Sequence, residues 1–178
     1  MKSLIVAASA MAMAAVAAPA FAQGAAAPQV TGYGNLGYSL VDTQNGPNLS
    51  VLDARLGARI ANYLGVEAEG GFGVGNKSYG GDDYRVKSTV GAYAVGFLPV
   101  APRFDVFARI GYGHDTLKVK DPVAGEFSVG EDSVNYGGGV QAFFTDKDGV
   151  RAEYTRHDLR HNSGNVNVWS ISYVRKFP

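Results

Sequence analysis

Residues 49–74 read LSVLDARLGARIANYLGVEAEGGFGV, and the polarity changes at nearly every step. Leu52, Ala54, Leu56, Ala58 and Ile60 alternate with Asp53, Arg55, Gly57 and Arg59. Beyond a break at Ala61–Tyr63, the residues Leu64, Val66, Ala68, Phe72 and Val74 alternate with Gly65, Glu67, Glu69, Gly71 and Gly73. A period of two is the mark of a strand with one apolar face. Two such runs across a short break form an antiparallel hairpin. The break sets Arg55 and Arg59 alongside Glu67 and Glu69, and with Asn62 at the centre of the turn Arg55 lies opposite Glu69.

The same alternation extends in both directions. It predicts further strands near Val30–Val41, Tyr84–Phe97, Arg103–Gly113, Ser133–Phe144, Val150–Arg156 and Val166–Phe177. In the Tyr84–Phe97 run, Val86, Val90, Ala92 and Ala94 oppose Arg85, Lys87, Thr89 and Gly91, but Tyr93, Val95 and Phe97 break the phase, as a β-bulge would. The connections alternate as well. Asp42–Asn48, Asn76–Asp83, His114–Asp132 and His157–Asn165 are longer and polar, whereas Ala61–Tyr63, Leu98–Pro102 and Thr145–Gly149 are short. The pattern predicts an all-β chain, an eight-stranded antiparallel up-and-down β-barrel.

Composition narrows the class. Of 178 residues, 16 are Lys or Arg and 16 Asp or Glu, so no excess charge steers the chain to nucleic acid. Cysteine is absent, which excludes disulfides, thiolate metal sites and a cysteine nucleophile. Lys2 followed by the small apolar run Leu4–Ala18 and by Pro19-Ala20-Phe21-Ala22 reads as an export signal cleaved after Ala22. Residues 1–22 are then the signal peptide, 23–29 a short lead-in and 30–178 the barrel.

Alternation alone does not say which face is inside. The polar face carries about as many glycines as charges, which serves a solvated surface poorly but leaves space inside a narrow tube. The apolar face is almost free of charge, as hydrocarbon requires. Tyr63, Phe97, Phe104, Tyr112, Phe144, Trp169, Tyr173 and Phe177 gather near strand ends, where interfacial girdles are expected. The barrel is therefore read as transmembrane, polar side inward. Closure follows, because an open sheet edge would strand backbone polar groups in lipid.

This frame places Asp53, Arg55, Arg59, Glu67, Glu69, Arg85, Lys87, Asp105, Arg109, Arg151 and Glu153 in the lumen as a structural network. Glu67 and Glu69 could be an acid/base pair, but buried charges must be paired, so a salt-bridged plug is the preferred reading. Gly32, Gly34 and Gly37 match a dinucleotide-binding pattern yet lie within a strand rather than at a strand–helix turn. His157, Asp158 and His161 lack the helix on which a spacing of four makes a metal site, and with His114 they read as solvated loop residues. No cofactor or metal is expected.

The closing stretch Trp169-Ser170-Ile171-Ser172-Tyr173-Val174-Arg175-Lys176-Phe177 resembles the last strand of Gram-negative outer-membrane barrels. Trp169, Ile171, Tyr173 and Phe177 match that family's alternating, aromatic-ended assembly signal; Pro178 after the Phe and Arg175 depart from it. From Val30 to Phe177 the chain is similar to the small eight-stranded group of opacity-type proteins, OmpX and the OmpA transmembrane domain. The resemblance implies a cell outer-membrane location, contact with lipid and lipopolysaccharide, recognition by the barrel-assembly machinery and a monomer. No OmpA-style cell-wall tether is implied.

Three functions compete. The leading one is a non-enzymatic barrel with an ion-paired, plugged lumen that serves envelope integrity or surface interactions. Its four long extracellular loops, His114–Asp132 above all, would present a site for a surface ligand. A lipid A deacylase-type enzyme using His161 and Ser163 lacks its downstream acid, since no Glu follows Glu153. The third is a narrow, low-conductance channel. A soluble ligand carrier is opposed by the polarity of the faces, and electrophoresis tests that directly. The unboiled protein in detergent should migrate apart from the boiled one; a single mobility at both temperatures would favour the soluble carrier.

Overall fold

The computed structural model describes residues 30–43, 48–75, 77–79, 82–121, 125–160 and 164–177. The signal segment and lead-in at residues 1–29 lie outside the described residues. Among the described residues nine strands form the fold: β1 (Val30–Thr43), β2 (Leu49–Ile60), β3 (Leu64–Gly73), β4 (Lys77–Tyr79), β5 (Asp82–Ala101), β6 (Phe104–Asp121), β7 (Gly125–Phe143), β8 (Asp148–Leu159) and β9 (Asn165–Lys176). Each long strand pairs antiparallel with its sequence neighbour, β1 pairs with β9, and β3 pairs with β5. Eight long strands thus close into a barrel. The three-residue β4 is additional, hairpinned onto β5 from Lys77↔Tyr84 to Tyr79↔Asp82.

The alternation resolves into inside and outside. Leu56 is 68% exposed and Ile110 59%, whereas Asp53, Arg55 and Glu67 are each 3% exposed. Such an exposed apolar wall around buried charge suits a lipid surround and would be untenable in water. At the short-turn end Ala61 takes a left-handed φ of 58°. The Arg59 guanidinium clasps that turn, donating from Nε to the Asn62 carbonyl at 3.0 Å. Thr145 organises another turn, its Oγ1 accepting from the Asp148 amide at 2.8 Å.

The structure differs from the pattern-based reading in two places. Most of the expected loop His114–Asp132 is ladder: β6 and β7 stay paired from His114↔Asp132 to Asp121↔Gly125. β8 joins β7 only from Ser133↔Leu159, while β5 stays paired with β6 out to Asp83↔Lys120, so β5, β6 and β7 extend together as a sheet beyond the point where β8 leaves β7. Its polar composition hid the strand: charged and small residues predominate, although Leu117 packs onto Leu49, Val51 and Val86.

The second difference lies in β5, where the register slips between Val86 and Ser88. The bulge flips the phase. Val86 is buried at 7%, Val90 is exposed, and Tyr93, Val95 and Phe97 point inward at 4%, 2% and 5% exposure. Phe97 is therefore interior and no part of a girdle. Arg85 and Lys87, expected in the lumen, are exposed instead.

A charge on the outer wall should be poorly tolerated. Ile110→Lys is expected to destabilise the folded barrel by about 2–4 kcal/mol if it lies near mid-depth. Reversible urea unfolding in lipid vesicles reads the loss; native stability in that variant would contradict the orientation.

Candidate functional site

The interior is built in three layers, and the middle one is ionic. β2 supplies Asp53 and Arg55, β3 Glu67 and Glu69, β6 Arg109, and β8 Arg151 and Glu153. All sit at inward positions of their strands. Arg55 and Glu69 are direct register partners, with Arg55 Nε at 2.7 Å from Glu69. Arg55 Nη1 also reaches Glu153 at 2.7 Å, and Nη2 lies 3.3 Å from Asp53. Arg109 Nη2 meets Glu69 at 2.6 Å and Nη1 meets Glu153 at 3.1 Å. Arg151 joins Glu67 at 2.6 Å and Glu153 at 3.0 Å. These seven side chains are 0–8% exposed.

Neutral partners complete the layer. The Tyr33 hydroxyl donates to Glu67 at 2.8 Å, and Ser39 donates to Asp53 at 2.6 Å. The Arg109 guanidinium lies 3.6 Å from the centre of the Tyr93 ring, and the Arg151 guanidinium 3.8 Å from that of Phe107. Such stacking suits a weakly hydrated guanidinium. The interior glycines make room for it. A Cβ on Gly57 would come within 2.4 Å of the Tyr33 ring, and one on Gly111 within 2.6 Å of Tyr93. Glu67 and Glu69 each meet two arginines, an arrangement that neutralises charge.

Toward the short-turn end lies an apolar layer that includes Tyr33, Val95, Phe97, Phe107, Phe143 and Val174. A second ion pair crosses it, Arg59 Nη1 to Asp105 at 2.9 Å, and Gln141 donates to the same carboxylate at 2.8 Å. Lys176 rests 3.6 Å from the centre of the Phe143 ring. Toward the long-loop end the ionic layer floors a cavity of about 90 Å³.

Of the residues expected in the lumen, seven share the central network, and Arg59 with Asp105 form the separate pair below it. Arg85 and Lys87 join neither, because the bulge turns them out. His157 also needs correcting from a loop histidine: it is the inward continuation of Arg151, Glu153 and Thr155 on β8, 8% exposed and 3.3 Å from Asp115. Tyr33, Tyr93 and Phe107 are interior residues without charge, and only the phase of their strands could have revealed their part in the layer. His161 and Ser163 lie outside the described residues. Trp169, Ile171, Tyr173 and Phe177 face outward, 58%, 63%, 42% and 44% exposed.

Comparison with known proteins agrees with this geometry. A family model described as outer membrane protein beta-barrel domain matches residues 8–177. Among solved structures, neisserial surface protein A is similar with a TM-score of 0.66 at 15% identity, over 87% of this chain and 100% of that one. The N-terminal β-barrel domain of Pseudomonas aeruginosa OprF gives 0.62 at 8% identity, covering 84% and 100%. Ail, the attachment invasion locus protein of Yersinia pestis, solved with the heparin analogue sucrose octasulfate, gives 0.59 at 17% identity, covering 83% and 97%. At these identities the likeness is one of fold. A search of curated protein sequences finds no match.

Removing one member of the central network should be far more damaging than cutting a surface pair. Arg151→Ala strands Glu67 and Glu153 and is expected to cost about 3–5 kcal/mol. Arg103→Ala breaks an ion pair with Asp146 whose side chains are 58% and 90% exposed. It should cost at most about 1 kcal/mol. Urea titrations of both variants in detergent check the contrast.

Proposed function

Because the chain belongs to the outer membrane protein beta-barrel domain family, we propose that it is a non-enzymatic envelope protein with a closed lumen, acting through its long-loop end. The observation that carries this reading is the central ionic layer. Seven interlocked charged side chains from four strands span the interior, with aromatic rings beneath them. An eight-stranded barrel is just wide enough for side chains to fill. Opening a water path would require separating ion pairs already desolvated, and each broken pair would leave an unbalanced charge.

With the lumen occupied, the groups accessible from outside the cell are those above the network. Barrels of this kind place short turns in the periplasm and long connections outside. The extended β5–β6–β7 sheet is then a prominent external element, a rigid scaffold of the sort that carries recognition residues. The attachment role named for the Yersinia pestis barrel of similar fold supports surface interaction as the use of that extension. Envelope integrity is the other use that a sealed barrel serves. Trp169, Ile171, Tyr173 and Phe177 act in this reading as the assembly signal, and the outer wall meets lipid and lipopolysaccharide.

Planar-bilayer recording tests the closed lumen. The purified protein is expected to insert without stable conductance steps, and Arg151→Ala with Arg109→Ala should introduce flickering ones if it still folds. Large, steady steps from the native protein would overturn the reading in favour of a channel.

A further inference from the structure

We propose that the outer wall carries a specific site for the phosphates of lipopolysaccharide, built on β5 by Arg85 and Lys87; this rests on the reading above only in taking the long connections to face outward. The bulge makes the site. A regular β5 would continue the inward phase of Tyr93, Gly91 and Thr89 to Lys87 and Arg85. The register slip between Val86 and Ser88 instead buries Val86 and leaves Arg85 and Lys87 exposed. Re-aiming side chains in this way is a common use of a bulge.

The two cations stand where the apolar wall ends. Phe72, Val74 and Val90, on the neighbouring parts of β3 and β5 and just beyond β3, are 56%, 42% and 52% exposed. The Arg85 guanidinium reaches toward β3, its Nη2 3.5 Å from the carbonyl of Gly73, the residue flanked by Phe72 and Val74. Hydrocarbon therefore gives way to water at this place on the wall, which is the level at which a lipid carries its phosphates.

The second ground is counter-charge. Among the described residues neither Arg85 nor Lys87 has a carboxylate at ion-pair distance. By contrast Arg156 has Asp158 at 3.2 Å, Arg103 has Asp146 at 2.9 Å and Arg175 has Asp148 at 3.2 Å. A guanidinium grips phosphate through paired hydrogen bonds, and an ammonium adds a mobile charge beside it. An acylated phosphate uses both halves of this face, its chains against Phe72, Val74 and Val90 and its head on Arg85 and Lys87. Lipid A carries two phosphates on one disaccharide, which suits two neighbouring cations better than the single phosphate of a glycerophospholipid. A soluble polyanion would meet the charges and gain nothing from the apolar part.

The experiment takes the full mature barrel in neutral detergent and counts bound molecules by native mass spectrometry. Bisphosphorylated lipid A, dephosphorylated lipid A, phosphatidylglycerol and heparin are added separately. Saturable binding of one lipid A is expected, about tenfold tighter than either of the other lipids. Arg85→Gln and Lys87→Gln should each weaken lipid A about fivefold and leave the dephosphorylated form unchanged. Arg156→Gln, which removes a cation that already has a partner, should change neither. Two variants are made so that one that fails to fold, judged by its heat-dependent migration, leaves the other. Equal binding of dephosphorylated lipid A, folded variants that bind like the native protein, or an equal loss in Arg156→Gln would each overturn the proposal. So would phosphatidylglycerol binding as tightly as lipid A, which marks general lipid contact, or heparin binding more tightly, which assigns the cations to a soluble polyanion. The count is independent of whether the lumen conducts, so the two readings fail separately.

Discussion

Hydrocarbon offers no hydrogen bonds, and the rest of the structure follows from that. Every backbone N–H and C=O within the bilayer must find a partner in the protein, so the sheet has to close. Here the pairing of β1 with β9 joins the ends of the meander, so the eight long strands form one closed ring. Once closed, a tube of eight strands has an interior only as wide as its own side chains, and whatever points inward must pack. Polar residues are admitted there because the outside can hold none. They are stable there only because each charge meets an opposite one at hydrogen-bond distance.

The central layer shows how narrow that solution is. Three guanidiniums and four carboxylates interlock so that Glu153 touches all three arginines. Planar arginine forks suit such bridging, and their flat faces stack on Tyr93 and Phe107 where no carboxylate is available. The glycines belong to the same arrangement. Bulk at Gly57 or Gly111 would displace Tyr33 or Tyr93, and with them the hydroxyl that meets Glu67 and the ring under Arg109. A high glycine content is thus a packing device here.

The barrel itself was readable because its wall has one simple rule. Leu56 against Arg55, or Val66 against Glu67, states the two solvents directly, and three intervening residues suffice to pair Arg55 with Glu69. Reading fails where that rule lapses. One bulged residue at Lys87 reverses the phase before it, so Val86 enters the lumen and Arg85 leaves it, while Tyr93 keeps the inward phase of Thr89 and Gly91. Beyond the last β7–β8 pair the polar composition masks the alternation, and residues 114–121 and 125–132 read as loop although they pair in register. His157 lay at that boundary, where the inward phase of β8 outruns the polar signal.

The interior charge also varies along the axis. At the short-turn end Arg59 and Lys176 face Asp105; the middle layer has three arginines to four carboxylates; above it stand Asp115, Glu131 and His157. In the lower two layers Arg59, Arg55, Arg109 and Arg151 each meet a carboxylate at 2.6–2.9 Å. The network that packs the middle of the tube also floors the cavity above it, so the interior divides along its axis into an apolar layer, an ionic layer and a largely apolar pocket.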